Sequence, residues 1–77
     1  SLEVQRTGSR VRVYTTDAHG KAAADAVVKI TDGQRLVASG RTDARGVFEA
    51  RGLPAANTGV KLSVVAEREG HYALNRD

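Results

Sequence analysis

Two histidines, three aspartates placed for turns and three of the four serines are the side chains of this 77-residue chain whose types and positions could do chemistry. His19 and His71 offer imidazole nitrogens to a metal, and they would need carboxylate partners such as Asp17, Asp32 or Asp43 from neighbouring loops. No spacing in the sequence brings them together, so His19 reads as an exposed turn residue and His71 as a strand-end residue. The aspartates could serve calcium, which takes six to eight oxygens at close range. Each candidate turn offers a single carboxylate, and Arg35, Arg41 and Arg45 lie nearby, so the expected role of Asp17, Asp32 and Asp43 is to cap turns. Nucleophilic catalysis needs a hydroxyl paired with a base in a cleft that excludes water. Ser9, Ser39 and Ser63 fall in a turn and on strands without a His or Asp in a recognisable arrangement. No catalytic, cofactor-binding or metal-ligating residue is therefore assigned, and the chain is expected to be non-enzymatic.

The carboxylates and histidines must be held by something, and a recurring dipeptide says what. Thr-Asp occurs at Thr16-Asp17, Thr31-Asp32 and Thr42-Asp43, each time closing an alternating run and each time followed within three residues by glycine. An aspartate oxygen accepts bonds from backbone N–H groups just ahead of it, while glycine takes the positive φ of a tight reversal. The step is a strand-ending turn, and the chain is a hairpin-rich β domain.

Seven short strands follow from period-two alternation. Leu2 and Val4 mark a short, weak first strand, broken at Thr7-Gly8-Ser9. From Arg10 to Thr16, Val11, Val13 and Thr15 share one face, with Arg10, Arg12, Tyr14 and Thr16 on the other. Lys21 to Asp25 is alanine-rich but too short to nucleate a helix, and it reads as an extended connection or bulge. Ala26, Val28 and Ile30 point one way on the third strand, and Asp32-Gly33 signals a hairpin. The fourth strand, Arg35 to Thr42, places Leu36, Ala38 and Gly40 on one face. The fifth, Gly46 to Ala50, carries Phe48, expected to be the largest core residue. Arg51 to Gly59 is a Pro-containing crossover between sheets and the longest loop, hence the expected contact surface. Val60, Leu62, Val64 and Ala66 form the cleanest inward face, and Glu67 to Gly70 turns into a last strand, His71 to Asn75, where Tyr72 and Leu74 share a face. Turn signals every eight to twelve residues are the pattern of an antiparallel, Ig-like β-sandwich spanning residues 1–77 as one domain.

Composition bounds the function classes. A chain of this length buries only about 60% of the surface it exposes when unfolded, so its core is thin. With one Phe, two Tyr and no Trp or Met, that core suits two facing sheets better than a cavity. Cysteine is absent, which removes disulfides and thiolate metal sites. No apolar run approaches the length of a membrane span, so direct membrane insertion is not expected. The net charge of +3 is scattered, and its one cluster, Arg6, Arg10 and Arg12, has only Tyr14 beside it. A single-stranded nucleic-acid platform interleaves several aromatics, so nucleic acid is not an expected partner. The abrupt ends suggest a module excised from a longer chain.

The segment from Arg10 to Ala50, together with Leu62 to Asp77, resembles the macroglobulin-like domains of bacterial alpha-2-macroglobulins. Those domains show a strand ending in Thr-Asp, a Gly-Lys turn into small residues and an alternating Val strand, then Thr-Asp-Ala-x-Gly and a closing Val-Val-Ala strand before a Gly-centred turn. This chain has Ala22-Ala23-Ala24-Asp25-Ala26 where the family usually shows Pro-Val-Ala-Gly-Ala, and Ala44-Arg45-Gly46 where it usually shows Asp-Gly. The run Thr42 to Phe48 also fits the Thr-Asp-x-x-Gly-x-Phe pattern shared by transthyretin-like, bacterial Ig-like and carboxypeptidase regulatory domains.

The resemblance implies a macroglobulin-like β-sandwich that is a non-catalytic structural domain of a protease inhibitor in the periplasm or cell envelope, one that traps endopeptidases. Its partners would be neighbouring domains of the parent and, through the parent, target proteases; the isolated chain is expected to be a monomer that folds alone but weakly. The family's thioester needs a cysteine and cannot be carried over to any residue here. Two other readings stay open: an Ig-like binding or spacer module of a surface adhesin, and an accessory β domain of a secreted enzyme.

Overall fold

The computed structural model describes residues 1–76 and contains seven strands: β1 (Leu2–Thr7), β2 (Arg10–Thr15), β3 (Val27–Thr31), β4 (Leu36–Arg41), β5 (Val47–Ala50), β6 (Ser63–Arg68) and β7 (His71–Arg76). They form two antiparallel sheets in the orders β1-β2-β5 and β4-β3-β6-β7. The fold is the expected Ig-like antiparallel β-sandwich. The fourth strand pairs with the third, whereas in the Ig constant-type arrangement it joins the sheet of the first.

Alternation puts the core where β-branched residues face each other across the sheets. Val11 and Val13 of β2, Val28 and Ile30 of β3, and Val64 of β6 are essentially inaccessible, and Leu53, Leu62 and Ala66 close the cluster. Burying a side chain of this size contributes about 1.5–3 kcal/mol, so these few residues carry most of the drive to fold.

Three expectations need correction. Phe48 does point inward, opposite Val13, but it is only half-buried, and Ile30 is the largest fully buried residue. The reason is placement: β5 is an edge strand, and Phe48 reaches across the open side of the sandwich onto Gly40 of β4, where an added Cβ would collide with its ring. Leu36 faces solvent at 52% exposure. The β3–β4 register slips between Ile30 and Thr31, so Ile30 opposes Ala38 while Thr31 opposes Leu36. Val37 is the extra residue and packs on the core, since a bulge flips every side chain beyond it. The first strand is six residues long, paired with β2 from Leu2↔Thr15 to Thr7↔Arg10. Its weak apolar signal arises because Arg6 occupies the inward position after Leu2 and Val4.

The Thr-Asp steps fold as turns. At Asp17 and Asp43 the same arrangement recurs: the aspartate N–H donates to the carbonyl four residues on, and Oδ1 accepts from the N–H groups two and four residues on. Asp32 caps a tighter loop, with Oδ1 accepting from Gln34 and Arg35 at 3.0 Å each. Registers place these turns on the molecule. The Asp17 and Asp43 turns share the upper pole with the start of β1 and the β6–β7 turn; the Asp32 loop, the β1–β2 turn and the crossover lie at the lower pole.

The crossover from Arg51 to Gly59 contains no strand and a single 3-10 turn, Ala56–Thr58. It is anchored more firmly than a polar loop requires. Leu53 is buried and its N–H donates to Ser9 O, while the Arg6 guanidinium donates to the carbonyls of both Pro54 and Val60 at 2.7 Å. A charged side chain directed inward is thus the clamp that ties β1 to the loop between the sheets.

Candidate functional site

Val and Ile fill the middle of the sandwich, and alanine fills its upper end. Ala23, Ala26, Ala66 and Ala73 lie where the two sheets part, and alanine lacks the volume to close that gap. The result is an open cleft of about 560 Å³, floored by these alanines and Thr15, and rimmed by the Asp17 turn on one side and the β6–β7 turn on the other. His19 stands on the first turn and His71 opens β7, so the fold gathers both histidines at one cleft although they are far apart in sequence.

The back of the cleft is rigid. Thr15 and Thr42 are buried, at 4% and 5% exposure. Both hydroxyls donate to the Ala23 carbonyl, at 3.1 and 2.7 Å, and Thr42 Oγ1 accepts the Ala26 N–H at 2.9 Å. The Ala23 N–H donates to Thr15 O, the Asp25 N–H to Thr42 O and the Thr42 N–H to Ala26 O. The segment from Lys21 to Asp25, expected as an extended connection or bulge, is therefore a pinned connection: Ala22 bridges to Thr16, Ala23 turns in, and Asp25 adopts φ 61° to reach β3. The two threonines do for this connection what a ladder does for a strand, satisfying buried backbone groups that would otherwise cost about 1–3 kcal/mol each.

Electrostatics at the rim are set by the turns. The Asp17 carboxyl is held below its ordinary range, chiefly by the N–H of Lys21 and then that of His19. Asp43 is lowered first by the Arg45 guanidinium, which donates Nη2 at 2.8 Å and Nε at 3.2 Å to Oδ2, and then by the Val47 N–H. Asp32 is lowered by the N–H groups of Gln34 and Arg35. Each carboxylate is thus committed to its own turn. Asp17 and Asp43 sit at the upper pole and Asp32 at the other, so the three do not converge, and among the described residues no group of three or more His, Asp or Glu is placed to hold a metal ion.

Ser1 lines the cleft, but the three candidate serines fall elsewhere. Ser9 accepts Leu53 N–H at the lower pole, Ser63 begins β6 at that same pole, and Ser39 is exposed on β4. The arginine cluster divides between faces. Arg6 points in, whereas Arg12 points out, 3.2 Å from Glu49 Oε2 and 5.9 Å above the Tyr14 ring centroid. Glu49 in turn accepts from Arg51 at 3.1 Å. Sequence reasoning did not find the cleft, because four alanines divided among the β2–β3 connection, β6 and β7 leave no local signature.

Chemically, the cleft can accept a small apolar group against its alanine floor and offer it polar contacts at the rim from His19, His71, Glu67 and Arg68. No family model, curated protein or solved structure matches the chain.

Proposed function

We propose that this chain is a non-catalytic structural domain of a bacterial alpha-2-macroglobulin-type protease inhibitor, in the periplasm or cell envelope, where it forms part of the shell that encloses an endopeptidase. The observation that carries this reading is the path of the chain. β1 begins at the upper pole and β7 ends at the lower one, along a body 36 Å long. A domain of that geometry can be joined to others at both ends, as a shell of many domains requires. The turn chemistry supports it as well, since the two Thr-Asp-Ala-x-Gly turns that carry the resemblance are built on one hydrogen-bond scheme.

The test is to incubate the full-length polypeptide that carries this domain with trypsin, then assay the protease on a small peptide substrate and on a large protein. Loss of activity on the protein with retention on the peptide is the expected result, because entrapment excludes only large substrates. Equal activity on both refutes the inhibitor reading. A second reading, a spacer in a surface adhesin, draws on the same opposite-pole geometry and is distinguished by near-identical tandem copies in the flanking sequence.

A further inference from the structure

Four strands lie at sheet edges, and three of them are blunted. β5 is only four residues long, β4 is interrupted by the Val37 bulge, and β1 carries Glu3 with Arg6 turned inward. These are the devices by which natural sheets avoid pairing with other chains. β7 is neither short nor bulged, and its one charged residue, Arg76, comes at its very end. It runs from His71 to Arg76 in unbroken register with β6, without proline or an acidic residue, and Tyr72 and Leu74 stand 75% and 53% exposed on its outer face.

The hairpin fixes which backbone groups are free. Glu69 and Gly70 have φ values of 53° and 81°, a two-residue turn of the type I′ kind, closed by Arg68 and His71. The closing pair of such a hairpin is hydrogen-bonded, so His71, Ala73 and Asn75 bond to β6 while Tyr72 and Leu74 turn their N–H and C=O groups to the open edge. β1 approaches β7 from the other sheet, but among the described residues no backbone bond joins the two.

We propose that this edge pairs with the same edge of a second copy, antiparallel, joining two four-stranded sheets across a two-fold axis through Ala73. Only pairings that oppose outward-bonding residues complete the ladder, and of these the one centred on Ala73 sets the two exposed apolar residues against each other. With the axis at Ala73, Tyr72 of each copy lies opposite Leu74 of the other, Ala73 opposite Ala73, and His71 opposite Asn75. Charges agree. Leu74 neighbours Val65 and then Lys29, while Tyr72 neighbours Glu67, so a row crossing the seam runs from Lys29 in one copy to Glu67 in the other and no like charges face each other. The seam is one strand pair and two apolar side chains from each copy, short of the roughly 1,200 Å² that stable interfaces bury. The chain is accordingly a monomer at low concentration and associates as concentration rises.

Sedimentation velocity from about 20 µM to about 2 mM, with amide hydrogen exchange at both ends of that range, tests the seam against the weak end of known interfaces. The mass should rise toward a dimer, and the Tyr72 and Leu74 amides should exchange several-fold more slowly at the higher concentration while Gly33 does not change. Added salt should strengthen the dimer, because each copy carries +3. Leu74→Lys should abolish association and leave the unfolding midpoint unchanged, the side chain being exposed. A chain that stays monomeric throughout would overturn the proposal, leaving the edge to a strand from another protein. A dimer that survives Leu74→Lys, or whose Tyr72 and Leu74 amides still exchange rapidly, would overturn it too.

Discussion

Thr42→Val removes one hydroxyl at nearly constant volume, and the geometry around it says what that costs. Thr42 Oγ1 donates to Ala23 O at 2.7 Å and accepts the Ala26 N–H at 2.9 Å in a buried setting. The first loss is a net hydrogen bond of about 0.5–1.5 kcal/mol, and the second leaves a buried N–H without its acceptor, at about 1–3 kcal/mol. The sum is about 2–4 kcal/mol. A domain of this length has roughly 4–12 kcal/mol in hand at 0.05–0.15 kcal/mol per residue, so the variant loses a large share of it. The midpoint should fall by roughly 8–32 °C, at 4–8 °C per kcal/mol. Thr15→Val is the internal control: its hydroxyl only donates to Ala23 O, which keeps Thr42 as a partner, so its cost should be about 1 kcal/mol. The double variant should exceed the sum of the two, because the carbonyl then loses both donors. Urea unfolding followed by far-UV circular dichroism, at unchanged m, measures all three. Equal costs for the two single variants, or less than about 1 kcal/mol for Thr42→Val, would refute the account of a shared acceptor and an orphaned N–H.

Three further outcomes are expected. Gly20 and Gly46 occupy equivalent turn positions at φ 79° and 75°, but a Cβ at Gly20 meets nothing within 4 Å whereas one at Gly46 falls 2.5 Å from Thr15 O; denaturation of Gly20→Ala should show only the left-handed penalty of about 1–2 kcal/mol, and Gly46→Ala should lose well beyond it. The lowered folded-state values of Asp17, Asp32 and Asp43 mean that the unfolded chain takes up protons first on acidification. Their stabilisation is present above the ordinary carboxylate value near 4 and lost as pH falls through the lower folded values, so urea midpoints of Asp43→Asn and wild type should differ most at neutral pH and converge in acid. Arg6→Leu frees the carbonyls of Pro54 and Val60; limited proteolysis should cut between Ala55 and Gly59 faster than in wild type, and unchanged cleavage would mean that Leu53 alone holds the loop.

Alternation made most of the fold legible, because the inward runs of β2, β3 and β6 are Val, Ile and Ala, with Thr15 alone at the end of β2, against mostly polar neighbours. It failed where a strand departs from strict period two. The bulge at Val37 has no marker in the run from Leu36 to Gly40, whose residues read equally well in either register, so strict alternation groups Leu36 on one face with Ala38 and Gly40. Phe48 was overrated because side-chain size says nothing about whether a strand is central or at an edge. β1 was underrated because an inward arginine looks like solvent exposure until the carbonyls of Pro54 and Val60 are seen to receive it. The turn aspartates were legible because an Asx turn is closed within five residues. The cleft and the threonine pair behind it were not, since their members come from four or more separated segments.

The two terminal strands run in the same direction, β1 leaving the upper pole and β7 arriving at the lower, each joined to its neighbour by a hairpin at the far end. Tension applied through the ends of the chain would therefore slide β1 along β2 and β7 along β6. The hydrogen bonds of each pair would be strained together and not one after another. A link built this way resists stretching through the simultaneous rupture of a whole ladder, so its lifetime under load is set by its unfolding barrier and not by the modest equilibrium stability of so thin a core.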